Sequence, residues 1–558
     1  MGVKKRNTAI VLLLMIILSL FFVLSGLKAR MVFAADDMPY HINRIQELVY
    51  SLKHGNWYPY LYTRQFKGVP YPLGIFYPQL TLIPIAALCI VFNSYIIGIY
   101  AGFTLYTFLT MVIMYIIERK LNKSSAVAFV VSVVYTFSTY RLLDAYGRFA
   151  IGEFLAMTFI PMAIYGLYAV IRNGNDWEYL GLGLSFTLLS HVLSTFLCII
   201  FLVIELLGLY SMCSSWRKTI IGLSKAVVLF VLSSLIFVVP FIEQETYQHF
   251  LQPTPVDLVT TNSYLFDLLE NSLNNNIIAP SGRTREGTIG VILLLVMAWG
   301  MVNFRKLNKL NKRILIGGVL SFVLITSLFP WSIMMHTPLR VIQFPFRILA
   351  FTTFLLSLIA GEMFESFYIS TSSKRFSKIW LVSFSLILII VPWYSSYKAY
   401  QRVMTPGFTE KNSFARGASS TYWFLDQYTP AKAMDKFQQL YDVKAQVNGK
   451  LVQLTKVTGK VNETVYSDKL LNDKKLVVLP ASMYKNIQIW QNHHRLKVNK
   501  KGLVTLHKTG KGSIEYKYVP SNADKLSRYI SVFTWVVMFI LGMVKMVLRF
   551  RKINLAHR

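Results

Sequence analysis

Cysteine is nearly absent. Cys89, Cys198 and Cys213 are the only three in 558 residues. Each lies in or beside an apolar run, which argues against a disulfide framework or a zinc site and reads as small core residues. Charge is scarce too: 15% of residues are charged against 54% hydrophobic, with a mean hydropathy of +0.46. A string of soluble domains would not show that balance. Acidic residues are the scarcest, 26 Asp and Glu against 58 Lys and Arg, for a formal charge of +32. The cations cluster in short loops between apolar runs, as the positive-inside rule expects of cytoplasmic loops, so nucleic acid is not the expected partner. There is no phosphate-binding glycine loop, dinucleotide fingerprint, nucleophile elbow or H-E-x-x-H, which removes the commoner soluble enzyme classes.

What is present is apolar sequence of membrane-spanning length. Residues 8–27 (TAIVLLLMIILSLFFVLSGL) follow Lys4, Lys5 and Arg6. About 20 apolar residues cross about 30 Å of hydrocarbon, and no clean small-x-small cleavage site ends the run, so an uncleaved anchor is expected. Further runs lie near 95–117, 124–140, 150–171, 219–241, 287–304, 313–330, 345–366, 377–396 and 526–548, and residues 177–210 read as a helical hairpin. The expectation is a polytopic α-helical membrane protein with about 12 spans. Residues 73–92 are also long enough to cross, but Pro72, Pro78 and Pro84 interrupt a straight helix. Placing them on the outer surface or in a re-entrant loop puts every basic loop and both termini in the cytoplasm.

The outward segments are then 29–94, 141–149, 242–286, 331–344 and 397–525. Three regions follow: a transmembrane domain 1–396 with interfacial helices in 29–94, an extracytoplasmic domain 397–525, and a last helix with a basic tail, 526–558. The second carries 22 basic and 9 acidic residues, and KLVVLP, IQIWQ, LVTLHK and SIEYKYVP are separated by turn signals. A small β-sandwich is expected, with a basic surface that either meets anionic headgroups or wall polymers or is simply solvated.

The candidate chemistry lies in the outward segments. Asp36 and Asp37 open the first of them. A juxtamembrane carboxylate is suited to general-base catalysis or to binding a divalent metal ion, and it is equally suited to capping the helix that follows. That helix, HINRIQELVYSLKHG, places Ile42, Ile45, Leu48, Val49 and Leu52 on one face and His41, Asn43, Arg44 and Glu47 elsewhere. It is expected to lie in the interface, with Arg44 within reach of a lipid phosphate. Arg141, Asp144, Arg148 and Glu153 crowd the second outward segment. Arg148 is read either as an internal salt bridge with Glu153 or Asp144, or as a guanidinium for a phosphate oxygen. Arg340, Gln343 and Arg347 in the fourth segment suggest a phosphate site shared with Arg148. His191, at the hairpin turn, is a ligand to the same cleft or a hydrogen-bonded packing residue.

Taken in order, DDMPYHINRIQEL, HGNWYPYL, GVPYPLGIFYPQL, GRFAIGEFLAMTFIPMAIYGLY, SHVLSTF and VIQFPFRILAF resemble the bacterial membrane family labelled 6-pyruvoyl-tetrahydropterin synthase-related. They are also similar to larger wall-glycosylation membrane proteins with a β-rich outer domain before a last helix. The strongest motifs are D-x-x-x-H (Asp37, His41), G-R-x-x-x-G-E (Gly147 to Glu153) and Q-F-P-F-R (Gln343 to Arg347). The resemblance implies the GT-C superfamily, which transfers sugars from polyprenyl-phosphate donors on the outer membrane face. By position it makes Asp37 the base or metal ligand, with Asp36 its neighbour, and Arg148 and Arg347 the phosphate binders. The expected reaction moves a sugar to a wall polymer, glycolipid or surface protein. The alternatives are a non-catalytic protein that binds or transports lipid-linked glycans, and a structural partner in envelope assembly.

Overall fold

The structure, a computed structural model, describes residues 2–253, 256–277, 287–371, 375–409, 413–414 and 425–555. The outward assignment of residues 278–286 and 415–424, and the end of the basic tail, fall outside the described residues. Eight described helices are long and apolar enough to cross a membrane, from Thr8–Ala29 to Asn522–Leu548, and the bent pair Ser125–Thr136 and Thr139–Gly147 makes up to nine. Each of the remaining runs among the expected 12 is also a helix, but Trp177–Leu188, Gly290–Val302 and Lys309–Leu324 are shorter. A helix of 12 residues rises only about 18 Å, less than the hydrocarbon thickness. Residues 73–92 form no single helix. They break into Leu73–Phe76, Leu80–Leu82 and Ile83–Val91, with prolines at the ends of the pieces.

The domain before the last helix is a β-sandwich. One sheet has five strands, in the order His494–Arg495, Ile487–Gln491, Ile514–Tyr518, Glu463–Tyr466 and Val457–Lys460; the other has four, Leu503–Leu506, Val477–Ser482, Lys444–Val447 and Lys450–Gln453. All pairings are antiparallel. Alternate inward residues of both sheets, such as Ile489, Tyr516, Val477 and Leu506, form one core. All four segments expected to be strands are strands.

The first outward segment corrects one expectation. Helix Met38–Lys53 does not leave its polar face open: His41, Asn43, Arg44 and Glu47 are as buried as Ile42 and Ile45. Its apolar face joins the bundle core, while the loop that follows wraps over the polar face and docks into the sandwich core through Tyr60, Tyr62, Phe66 and Tyr71. Burying a charged face requires partners, and Glu47 has them. It accepts the backbone N–H groups of Thr63 (2.8 Å), Arg64 (3.2 Å) and Gln65 (3.0 Å). Asn462 fastens the loop from the other side, its Oδ1 accepting the N–H groups of Tyr60 (2.7 Å) and Leu61 (2.9 Å).

Glu47→Ala is expected to leave these buried donors without an acceptor and to lower stability by about 3 kcal/mol, against under about 1 kcal/mol for an exposed control such as Lys53→Ala. Chemical denaturation of the purified protein, followed by tryptophan fluorescence, checks this.

Candidate functional site

Asp37 is placed by backbone. After the first span, Met31–Phe33 pairs with Pro406–Thr409, and the Tyr400 hydroxyl donates to Ala34 O (3.2 Å) and Tyr146 O (2.8 Å). The N–H of Asp37 then donates to Arg148 O at 2.9 Å. Asp37 is the N-cap residue of helix Met38–Lys53, yet its side chain makes no capping hydrogen bond. Of the two readings of this carboxylate, the geometry leaves it free of the helix. Asp37 is half-buried and Asp36 exposed.

Arg148 and Glu153 lie where the bent helix turns into helix Ile151–Asn173, with Phe149 held at a φ of +54° between them. The Nη1 of Arg148 donates to Glu153 Oε2 (2.9 Å) and Asp144 Oδ1 (3.1 Å). Arg347, far along the chain, brings its Nε to 3.4 Å from the same Glu153 oxygen. Its Nη1 donates to Ile342 O and Gln343 Oε1, both at 2.9 Å. The Tyr140 hydroxyl donates to Glu153 Oε1. Two arginines thus face two carboxylates in a buried, charge-balanced group. The salt-bridge reading of Arg148 is the one present in the structure; a phosphate would have to share these guanidinium groups with Glu153.

His41 and Arg44, one turn further along their helix, close another side. Arg44 Nη1 stands 3.2 Å from His41 Nδ1, its Nη2 donates to Pro78 O (2.5 Å), and its guanidinium lies 4.1 Å from the Tyr77 ring centroid. Arg44 therefore turns inward, toward Tyr77 and the backbone at Pro78. Burial, and next the Arg44 charge, lower the His41 pKa well below the imidazole range. His191 caps the helix Val192–Leu209 through Nδ1, which accepts from Ser194 N at 3.3 Å. Burial and then Arg347 bring its pKa down to about 3. Both rings are neutral near pH 7. A Cβ on Gly152 would come within 2.7 Å of the Tyr77 hydroxyl and 3.2 Å of His191 Cδ2, so only glycine lets these groups meet beside Glu153.

Tyr77 is the residue that sequence reasoning missed. Burial above all raises the pKa of its hydroxyl to about 12, with Arg44, Asp37, Arg347 and Glu153 also acting on it, so it keeps its proton and is available as an O–H donor. Nothing in I-F-Y-P-Q distinguishes it from a packing tyrosine. Asp37 has its pKa raised, first by burial, against the opposing pull of Arg148 and Arg347. Arg340 is not brought in: it is exposed on the short helix Pro338–Ile342. Among the described residues no three His, Cys, Asp or Glu side chains gather to hold an ion. The cations already facing Asp37 are guanidinium groups, so the donor set does not fit the divalent metal considered for it.

Shortly after Tyr77 in the chain, Leu80 and Thr81 open an apolar groove of about 850 Å³ that is also lined by Leu105, Leu109, Phe159 and Phe186.

No family model matches the chain, and no curated protein matches it in sequence. Solved structures do resemble it. The arabinofuranosyltransferase AftD from Mycobacteria matches at 11% identity and a TM-score of 0.45, over 93% of this chain and 40% of its own length. ArnT from Cupriavidus metallidurans, bound to undecaprenyl phosphate, matches at 9% identity and 0.35, over 70% of this chain and 72% of its own. The archaeal oligosaccharyltransferase AglB from Archaeoglobus fulgidus, with an inhibitory peptide and a dolichol-phosphate, matches at 12% identity and 0.37, over 78% and 58%. The chain thus spans well under half the length of AftD.

If the ion pairs organise this site, Glu153→Ala should cost about 3–5 kcal/mol by stranding Arg148 and Arg347, while the double change R148M/E153L costs less than that single one. Unfolding of each variant in the same detergent measures the difference.

Proposed function

We propose that this protein is a membrane glycosyltransferase of the GT-C type. It would move a sugar from a polyprenyl-phosphate donor to a wall polymer, glycolipid or surface protein on the outer face of the cytoplasmic membrane. Both termini then lie in the cytoplasm and the β-sandwich outside. One observation carries the reading: the Asp37 carboxylate, uncommitted to its helix, lies in the field of Arg148, Arg347 and Tyr77, and an apolar groove opens at Leu80, shortly after Tyr77 in the chain.

Each part has a role in an inverting transfer. The groove takes the apolar polyprenyl chain. Asp37 accepts the proton of an acceptor hydroxyl as that oxygen bonds to the anomeric carbon. The bond from that carbon to the phosphate oxygen breaks, and polyprenyl phosphate leaves with the electron pair. Its charge faces Arg148 and Arg347, whose planar N–H sets can serve Glu153 and a phosphate together. Tyr77, protonated throughout, donates a hydrogen bond to a phosphate or sugar oxygen. His41 and His191, being neutral, orient rather than transfer protons.

The pairing of Arg148 with Asp144 and Glu153 favours a second reading, a non-catalytic protein that binds or transports lipid-linked glycans. Purified protein that retains a labelled polyprenyl-phosphate sugar but transfers none would decide for it.

Asp37→Asn is expected to reduce sugar incorporation into isolated envelopes about 100-fold or more. Because the side chain caps nothing, the same change should not lower thermal stability, whereas loss of a working cap would cost about 1 kcal/mol. Unchanged incorporation at normal protein level would sink the proposal.

The pH profile gives a further check. A base must be ionised, and the Asp37 pKa lies above the ordinary 3.8, so activity should fall on acidification at a higher pH than a free aspartate would give. With both histidines depressed, no inflection is expected near 6.5. An initial-rate series across pH 4–8 reads both features.

A further inference from the structure

A second cleft lies at the opposite end of helix Met38–Lys53 from Asp37, about 24 Å away along the helix axis. It encloses about 650 Å³ between the helix end, the loop Thr63–Gly68 and the edge strand Val457–Lys460 of the five-stranded sheet. Its formal charge has one sign: Arg64 and Lys67 line it beside His54, and no carboxylate does. Glu47 is spent on backbone N–H groups, while Lys67 donates to Tyr441 O at 3.3 Å and lies in the field of Asp442. No carboxylate among the described residues stands within ion-pair distance of Arg64.

The cations are held in place by aromatic rings. The Arg64 guanidinium carbon lies 4.1 Å from the Tyr50 ring centroid, and the His54 ring packs on Tyr50 with centroids 4.1 Å apart. His54 Nδ1 is 2.8 Å from Tyr50 O, so Nδ1 is the protonated donor. Lys67 reaches the Tyr441 ring at 3.6 Å. Stacking takes little from the N–H edges of a guanidinium, which remain open to an anion. The walls are fixed as well. Phe66, Lys67 and Gly68 take φ values of +53°, +62° and +71°, a run costly for the first two. A Cβ on Gly459 would lie 2.2 Å from Thr63 O, so the strand approaches the loop as only glycine permits, and Thr63 Oγ1 donates to Lys460 O at 2.6 Å.

We propose that this cleft binds an anionic glycan chain, one bearing phosphate or carboxylate groups, and holds it as the acceptor. The proposal rests on the sugar-transfer reading for its role, and on the cleft itself for its binding. A polymer suits the separation, because a chain of several sugars anchored at Arg64 and Lys67 is long enough to span the distance from the cleft to Asp37. A membrane suits it less well. Val457 is the one aliphatic side chain longer than a methyl group among the lining residues, too little for an acyl chain to pack on, and one wall belongs to the β-sandwich.

The test is direct binding to the full-length protein in nanodiscs of neutral lipid, with poly(glycerol phosphate), polygalacturonate and neutral dextran as probes. Wild type should bind both polyanions and not dextran. R64E/K67E should weaken polyanion binding about tenfold or more, with a smaller loss in R64Q/K67Q, which removes charge without adding repulsion. Thermal unfolding should match wild type in both, since only exposed side-chain ends change. The D37N variant should bind as wild type does, so failure of catalysis leaves this proposal standing. Three results would overturn it: no polyanion binding by wild type, equal binding by the charge variants, or competition by phosphatidylglycerol vesicles as strong as by free polymer. The last would assign the cleft to a lipid headgroup.

Discussion

The carboxylate of Glu153 is the constraint on which the site depends. Removing such a group from water costs several kcal/mol, and the bundle recovers this only by bringing donors to it. Those donors come from separate parts of the chain: Tyr140 from the bent helix, Arg148 from the connection after it, and Arg347 from the opening of a helix nearly two hundred residues later. An unpaired version of any one of them would be worse than none, so the arrangement is self-enforcing. Asp37 inherits its place from this group, because its backbone N–H is bound to the carbonyl of Arg148. A residue that makes no side-chain cap is thus held as firmly as one that does.

How much of this was legible in the sequence follows from how local each signal is. The apolar helices and the four strands are written in contiguous hydropathy and turn residues, and they are present where expected, though three of the helices are shorter than a span. The G-R-x-x-x-G-E run is also local, which is why the pairing of Arg148 with Glu153 could be anticipated. The helix Met38–Lys53 was misread because its periodicity says which face is polar and not what covers it. The cover is the following loop, tied down by Glu47 and by Asn462 more than four hundred residues away. Arg340 and Arg347 look alike in sequence, seven residues apart. Only the chain reversal at Gln343, with a φ of +63°, sends one to solvent and the other inward.

Three carboxylates on or around helix Met38–Lys53 meet three different fates. Glu47 is consumed by backbone donors and Glu153 by arginines. Neither can accept a substrate proton without breaking the fold that surrounds it. Asp37 sits in the same field with its pKa raised and its side chain uncommitted. A general base needs that freedom from structural duty, so Asp37 and not Glu153 is the residue proposed for the role, on the hydrogen bonds and not on charge alone.

The polar face of helix Met38–Lys53 joins these observations into one element. Asp37, His41, Arg44, Glu47, Tyr50 and His54 follow one another at intervals of three or four residues, a single stripe along a helix of 3.6 residues per turn. Its first half meets the arginine and tyrosine group, its middle clamps the loop, and its last turn forms a wall of the cationic cleft. A helix packed on both sides does not bend, so the distance between the two ends is fixed by the number of turns. Any substrate engaging both ends must therefore be longer than a monosaccharide, and its reach would be set by this helix, not by the mobility of a loop.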